Sequence, residues 1–188
     1  NVILNNIAFM YLLEDQNMFN NSKFIDRYLE LSTDKKQQEE VSRISNSIQN
    51  LKSGSSIPNI ELITPKNEVV AVNSLTKNKE TIVFFWTSHA ESHLKAVHQK
   101  VIELQKDFPN LNFVAVNIND TNVNWIKTLK KHKLENLNSV TQLKATNFEA
   151  IKRDWVNTKV HRAMILNPDG TIKNTFVNLF DMNFKNHL

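Results

Sequence analysis

The sequence of 188 residues contains no cysteine. Without thiols the chain cannot form disulfides, thiolate nucleophiles, iron–sulfur clusters or any zinc site that uses cysteine. It also has two glycines, Gly54 and Gly170, where average usage of about 7% predicts roughly thirteen. Phosphate-binding loops, dinucleotide-binding fingerprints and the nucleophile elbow of hydrolases need at least two glycines a few residues apart. The sequence therefore excludes all of these sites.

Long apolar runs are missing as well, and the charge is only weakly one-sided. No stretch approaches the roughly 20 apolar residues that a membrane-spanning helix needs. The formal net charge is +4, and the densest basic run covers residues 127–133. That run falls at the predicted end of a helix, where the helix dipole favours cations. We therefore expect a solvated helix end there and no nucleic-acid partner.

The chain begins with Asn1, and neither the basic nor the apolar region of a signal peptide follows it. We expect a processed or cloned fragment of a longer protein, in which a lipid anchor could lie upstream. The compartment must then be inferred from the family.

Residues 1–53 are predicted to form three helices, the first of them over residues 1–14. Apolar residues recur at helical spacing in each. Ser22 is the expected N-cap of the second helix, Asp34 with Gln37 caps the third, and Gly54 follows the end of the third. The segment 53–58, with the sequence Ser-Gly-Ser-Ser-Ile-Pro, then breaks this pattern. The sequence thus predicts an all-helical N-terminal segment, 1–53, and a second domain, 54–188.

The second domain alternates strands and helices. The continuous apolar run Thr81–Trp86 is typical of a central strand buried on both faces. The predicted strands cover residues 59–64, 68–72, 81–86, 112–118, 160–166 and 171–177. The predicted helices cover residues 94–108, 123–131 and 147–155, with a further helix from Asp181. This order predicts an α/β fold, a three-layer sandwich around a mixed central sheet.

Four segments of the second domain together resemble a known family. They are Gly54-x-x-Ile57-Pro58, the run Ile82–Trp86, the strand Phe113–Asn117 and the hairpin Ile165–Ile172. Over about residues 54–188 they resemble the TlpA-like branch of the thioredoxin superfamily. The resemblance implies a thioredoxin-like fold in an envelope protein of a Bacteroidetes-type bacterium. Members are typically thiol–disulfide oxidoreductases with a W-x-x-x-C-x-x-C motif at the start of a long helix, faced by a loop that carries a cis-proline.

The sequence departs from that family pattern at the positions that carry the chemistry. Trp86 is kept, but Ala90 stands where the nucleophilic cysteine belongs and His93 where the resolving cysteine belongs. His161 stands at the position of the cis-proline. An alanine methyl has no lone pair with which to attack a disulfide. Thiol–disulfide exchange at these degenerate active-site positions is therefore excluded.

The replacement residues allow a metal-site interpretation and a structural interpretation, and a Ser/His hydrolase is a weaker third. His89, His93 and His161 could converge, with Glu91, on Zn²⁺ or Cu²⁺. Alternatively, His93 is a neutral, hydrogen-bonded residue and the other histidines are solvated. Ser88 and Ser92 lie near histidines, but no carboxylate that would orient a Ser/His pair is identifiable.

We expect a redox-inactive thioredoxin-like domain that works as a binding or scaffolding module for a protein or peptide. It would need no cofactor and would lie in the bacterial periplasm or cell envelope. The predicted groove residues are Trp86, His89, Glu91, His93, His161 and Arg162. The alternative is a metal-binding protein or metallochaperone that uses His89, His93 and His161, and a third interpretation is a purely structural domain within a longer polypeptide.

Overall fold

A computed structural model gives the fold of the chain and describes residues 7, 8, 10, 11, 18–76, 78–157 and 159–188. The chain divides into two compact units, Asn1–Leu51 and Lys52–Leu188. Most of the first predicted helix, over residues 1–14, lies outside the described residues. Within the described ranges, no helix has both the length and the apolar character needed to cross a membrane.

In the first unit, residues 7, 8, 10 and 11 are helical. Two further helices of this unit pack against each other, α1 (Met18–Leu31) and α2 (Lys35–Asn50). The Asp34 side chain accepts a hydrogen bond from the Gln37 N–H at 3.2 Å, which confirms the predicted cap of α2. Ser22 does not cap a helix but lies inside α1, because Asn and Ser cost a helix only about 0.5 kcal/mol each. The buried side chains of the two helices include Ile25, Tyr28, Val41 and Ile48.

The second unit is built on a seven-stranded sheet with the order β2-β1-β5-β4-β3-β6-β7. The central strands β3, β4 and β5 are parallel, and the strands on either side of them are antiparallel, so the predicted mixed sheet is confirmed. The strands are β1 (Leu62–Ile63), β2 (Val69–Val70), β3 (Thr81–Trp86), β4 (Asn112–Asn117), β5 (Val140–Ala145), β6 (Arg162–Leu166) and β7 (Ile172–Asn178).

Helices cover both faces of this sheet. They are α3 (Glu91–Asp107), α4 (Asn122–Lys131) and α5 (Phe148–Asp154). Alternate side chains of a strand point to opposite faces. Trp86 therefore joins the core formed with α3 and α4, whereas Phe85 meets Trp155, at the end of α5, on the other face. This is the predicted three-layer arrangement.

The structure corrects three details of the sequence analysis. Strand β5 was not predicted, because the buried polar residues Gln142 and Lys144 interrupt its apolar pattern. Gly54 does not end α2, and instead its N–H donates to the carbonyl of Ile172 at 2.8 Å. The helix predicted from Asp181 is a single 3-10 turn, Phe184–His187.

Candidate functional site

The predicted site residues come to one edge of the sheet because of its topology. Strands β3 and β4 are parallel, with Trp86 paired to Asn117 at their carboxyl ends. The loops that follow both strands therefore leave from the same edge, where ligands bind in open α/β sheets. Strand β6 runs antiparallel to β3, so its first residue, Arg162, and the preceding His161 also reach this edge.

Ala90 occupies the N-cap of α3 without capping it. Its φ and ψ are −112° and 64°, and no side chain at this position accepts a hydrogen bond from the first turn. The partial positive charge of a helix N-terminus would stabilise a thiolate at this point. With a methyl group in its place, the helix end has no nucleophile on which to act.

His93 lies in the first turn of α3 and packs against the loop before β6. Its half-buried ring donates from Nε2 to the carbonyl of Phe85 at 3.1 Å. The ring meets the exposed His161 edge to face, with centroids 5.3 Å apart, and Phe180 at 6.0 Å. Burial lowers the pKa of His93, and repulsion from His161 lowers it further, against the opposing effect of the Phe85 carbonyl. The lowered pKa favours the neutral form of His93 at pH 7.

Asp120 is the residue that sequence reasoning missed. Its side chain is fully buried and accepts hydrogen bonds from the Ser88 N–H at 2.8 Å, the Ser88 Oγ at 2.7 Å and the Thr87 Oγ1 at 3.1 Å. The amide of Asn117 is a further donor. Burial raises the pKa of Asp120, but the hydrogen bonds from Ser88, Asn117 and Thr87 outweigh it, so the pKa lies below its usual value. The charged carboxylate thereby anchors the loop that carries His89.

One signal in the sequence could have identified Asp120. The residue comes three positions after β4, and Ser88 two positions after β3. Because the carboxyl ends of neighbouring parallel strands share an edge, polar residues at both ends can meet. The Asn-rich surroundings of Asp120, Asn117-Ile118-Asn119 before it, concealed it among ordinary loop residues.

The cluster around Asp120 does not form a catalytic triad. In a triad the histidine lies between the carboxylate and the serine and takes the proton of the serine. Here the Ser88 hydroxyl donates directly to Asp120, while Nδ1 of His89 lies 3.2 Å from both the carboxylate and the Thr87 hydroxyl. Among the described residues no histidine bonds the Ser88 hydroxyl, so the geometry differs from that of a Ser–His–Asp triad.

The structure does not bring the three predicted metal ligands, His89, His93 and His161, together as a metal site. The structure brings His93 and His161 together, but His89 turns to Asp120 and is 69% exposed. Among the described residues, no group of three or more His, Asp or Glu side chains is arranged to hold a metal ion. The arrangement therefore does not support a metallochaperone.

Two predicted groove residues are buried and cannot line an open surface. Trp86 is 0% exposed and packs edge to face against His98 in the core. Arg162 is also buried, and its Nε donates a hydrogen bond to the carbonyl of Thr175 at 2.6 Å. Both side chains contribute to the interior of the fold, which the sequence pattern does not reveal.

Glu91 is exposed at the first turn of α3, but lysines surround it. Its carboxylate lies 3.0 Å from Nζ of Lys95 and 3.2 Å from Nζ of Lys131. The bonds to Lys95 and Lys131 lower the pKa of Glu91. Of the predicted groove, the residues that remain together are His93 and His161, and the structure adds the 43% exposed Phe180.

Comparisons with known proteins agree with this fold. A family model described as Thioredoxin-like matches residues 78–172, just over half of the 188 residues. No curated protein matches the sequence. A candidate thiol-disulfide oxidoreductase from Bacteroides vulgatus aligns over 73% of this chain and 94% of its own, with 16% identity and a TM-score of 0.59.

Two further solved structures give the same result. A thiol:disulfide interchange protein from a Bacteroides species aligns over 66% of this chain and 81% of its own, with 18% identity and a TM-score of 0.54. The thioredoxin domain of a thiol-disulfide oxidoreductase from Bacteroides vulgatus aligns over 68% and 90%, with 19% identity and a TM-score of 0.53. At these identities the likeness shows a shared fold. With the family model matching half of its length, the chain belongs to the thioredoxin-like family.

Proposed function

We propose that this domain binds a protein or peptide partner at the former active-site edge of a thioredoxin-like fold, without thiol chemistry. The binding surface is the aromatic face, which we define as His93, His161 and Phe180. The contact of His93 with both other rings carries the proposal, because it joins the start of α3, the loop before β6 and the loop after β7 in one surface.

The chemistry of the aromatic face suits a peptide more than a charged ligand. His93 is neutral at pH 7 because burial lowers its pKa. Phe180 is 43% exposed, and aromatic residues are enriched at the centres of protein interfaces. His161 adds an exposed imidazole that can donate to or accept from a peptide backbone. An extended segment with apolar side chains complements such a surface.

The loop beside the aromatic face is preorganised by Asp120. Its buried carboxylate fixes Ser88 and Thr87, which lie between β3 and the start of α3. A surface that is held rigid before binding loses less conformational entropy when a partner docks. The former active-site loop can thus support binding although Ala90 offers no nucleophile.

We further propose that the protein works in the periplasm or envelope of a Bacteroidetes-type bacterium. Support comes from the structural neighbours, which include thiol–disulfide proteins of Bacteroides. Immunoblots of cytoplasmic, periplasmic and membrane fractions of the source bacterium test this location. We expect the protein in the periplasmic or membrane fraction, and recovery only in the cytoplasm would contradict the proposal.

The binding function is tested with peptides selected from a phage-displayed library and measured by fluorescence anisotropy. The double variant His161→Ser, Phe180→Ser should raise the Kd of the selected peptide by about tenfold or more. Aromatic residues that are important at an interface contribute above about 1 kcal/mol each. Val69→Ser is the matched control, because Val69 is 68% exposed on β2, at the opposite end of the sheet order. It should bind as the unaltered protein does.

Two results would contradict the binding function. The first is a library that yields no peptide with affinity above that for an unrelated domain, which would favour the purely structural interpretation. The second is an equal loss of affinity in the Val69→Ser control, which would place the peptide elsewhere on the sheet.

A further inference from the structure

Arg162 is a buried cation without a counter-ion. Its guanidinium is held by backbone carbonyls, with Nε donating to Thr175 at 2.6 Å and Nη1 donating to Val156. The ring of Phe176 lies 4.2 Å from its centre. No ion pair of Arg162 with a carboxylate occurs among the described residues, and burial alone lowers its pKa to about 9. A buried charge of this kind is costly unless it is paired and hydrogen-bonded.

Two hydrogen-bond donors in this region have no acceptor among the residues that the structure describes. The second guanidinium nitrogen of Arg162, Nη2, is buried without a partner, and so is the amide nitrogen Nδ2 of Asn157. Asn157 is itself 0% exposed. Because Nη1 of Arg162 bonds the carbonyl of Val156, the guanidinium lies at the peptide unit that joins Val156 to Asn157. Buried polar atoms in folded proteins are nearly always bonded, so unpartnered donors need an explanation.

The backbone of the same segment is strained. Val156 has a φ of +49°, a conformation in which a β-branched side chain is a genuine outlier. Such strain persists where the surroundings fix the backbone, and it concentrates at functional sites and ligand clamps. Here it directs the Val156 carbonyl to the guanidinium.

We propose that Val156, Asn157 and Arg162, which we name the anion turn, bind a compact monoanion, either chloride or a carboxylate group. The two unpartnered groups are donors only, so the ligand must be an acceptor. One negative charge neutralises the single guanidinium, whereas a dianion would leave a buried excess of charge. The neighbouring Phe176 ring limits the space around the guanidinium, which favours a small ion. The anion turn is distinct from the aromatic face and does not depend on peptide binding.

The site is tested by thermal unfolding of the whole chain at pH 7 and constant ionic strength. Sodium gluconate, whose anion is much larger than chloride or acetate, is replaced stepwise by sodium chloride in one arm and by sodium acetate in the other. Ligands that bind only the folded state stabilise it by mass action. We expect Tm to rise by about 3–5 °C at a concentration well above Kd. A rise with chloride alone assigns an inorganic anion, and a rise with acetate assigns a carboxylate.

Variants and crystals locate the effect. Arg162→Met should remove the difference between anions, whereas Arg153→Met, at an exposed arginine paired with Asp154, should keep it. Since Arg162→Met could fail to fold, crystals of the unaltered protein soaked in sodium bromide provide a second measurement. We expect an anomalous bromide peak beside Nη2 of Arg162 if chloride is the ligand. Equal Tm values in gluconate, chloride and acetate, or an anion effect that persists in Arg162→Met, would overturn the proposal.

Discussion

Position 90 shows how the side chain at a helix N-terminus limits the chemistry available there. The N-terminus of α3 still begins beside the carboxyl end of β3, and its dipole can stabilise a negative charge there. Ala90 supplies neither charge nor nucleophile, and His93 one turn later is neutral and bonded to the Phe85 carbonyl. The electrostatic setting of the helix end is thus kept, while the atoms that would react are absent.

His98 predicts the dependence of stability on pH. Its buried ring donates from Nδ1 to the Leu94 carbonyl at 2.8 Å and accepts from the Gln142 amide at 3.1 Å. Burial lowers its pKa to about 4, although the hydrogen bond to the Leu94 carbonyl opposes this shift. Because the folded pKa lies below the unfolded value of about 6.5, the fold favours neutral His98. Stability is then complete above pH 6.5 and is lost as the pH falls toward 4.

The measurement is urea unfolding at pH 7 and pH 4.5, followed by tryptophan fluorescence. Trp86, Trp125 and Trp155 all lie in the second unit, as His98 does. The unaltered protein should lose about 2–3 kcal/mol more than the His98→Gln variant over this range. His187→Gln, at an exposed histidine, should behave as the unaltered protein. An equal loss in His98→Gln would show that other groups govern the acid sensitivity.

At the scale of elements, the loop from Thr87 to Ala90 depends on β4 rather than on its own residues. Asp120 follows β4 and provides the acceptors for Ser88 and Thr87. In Asp120→Asn, one oxygen becomes an N–H donor that faces these donors. We expect a loss of about 3 kcal/mol in the free energy of unfolding, because hydrogen bonds to a buried charge are strong and their donors would be left unpaired.

Urea unfolding with tryptophan fluorescence measures this loss, and amide hydrogen exchange at Ser88 shows whether the loop opens. The matched control is Asp107→Asn, since Asp107 is exposed and pairs with Lys185 at the surface. It should change stability far less than Asp120→Asn does, because exposed ion pairs contribute little. If Asp120→Asn were no worse than this control, the loop would be held by other contacts.

The elements also explain which parts of the fold the sequence predicts. Strand β3 is apolar throughout, and α3 repeats Leu94, Val97 and Val101 at helical spacing, so periodicity alone identifies both. Strand β5 is not identified from the sequence because two of its buried residues, Gln142 and Lys144, are polar. The buried amide of Gln142 is hydrogen-bonded to His98, a tertiary partner that no local pattern reveals.

The same reasoning applies to the candidate site. Ala90, His93 and His161 were placed by resemblance to a family, and the structure brings His93 and His161 into contact. Arg162 was expected at the surface because arginine is rarely buried without a partner. Phe180 escaped notice because its contact with His93 depends on how the chain turns after β7. Long-range packing, not residue type, decided each of these.

On the scale of the whole molecule, a thioredoxin-like fold is combined with a sequence that contains no cysteine. The second unit keeps the mixed sheet and the helix on β3, and the three solved structures compared here cover at least 66% of the chain. Function lies in sites rather than in folds. The fold brings the three rings of the aromatic face together, and the function of this face must be tested by identifying what binds to it.

The most direct measurement of the binding function is an amide NMR titration of the isotope-labelled protein with the selected peptide. It reports on every part of the chain at once, without any substitution. The binding function predicts that the largest shift changes fall on His93, His161, Phe180 and their sequence neighbours. Changes confined to β2 or to the N-terminal helices, with the aromatic face unaffected, would contradict it.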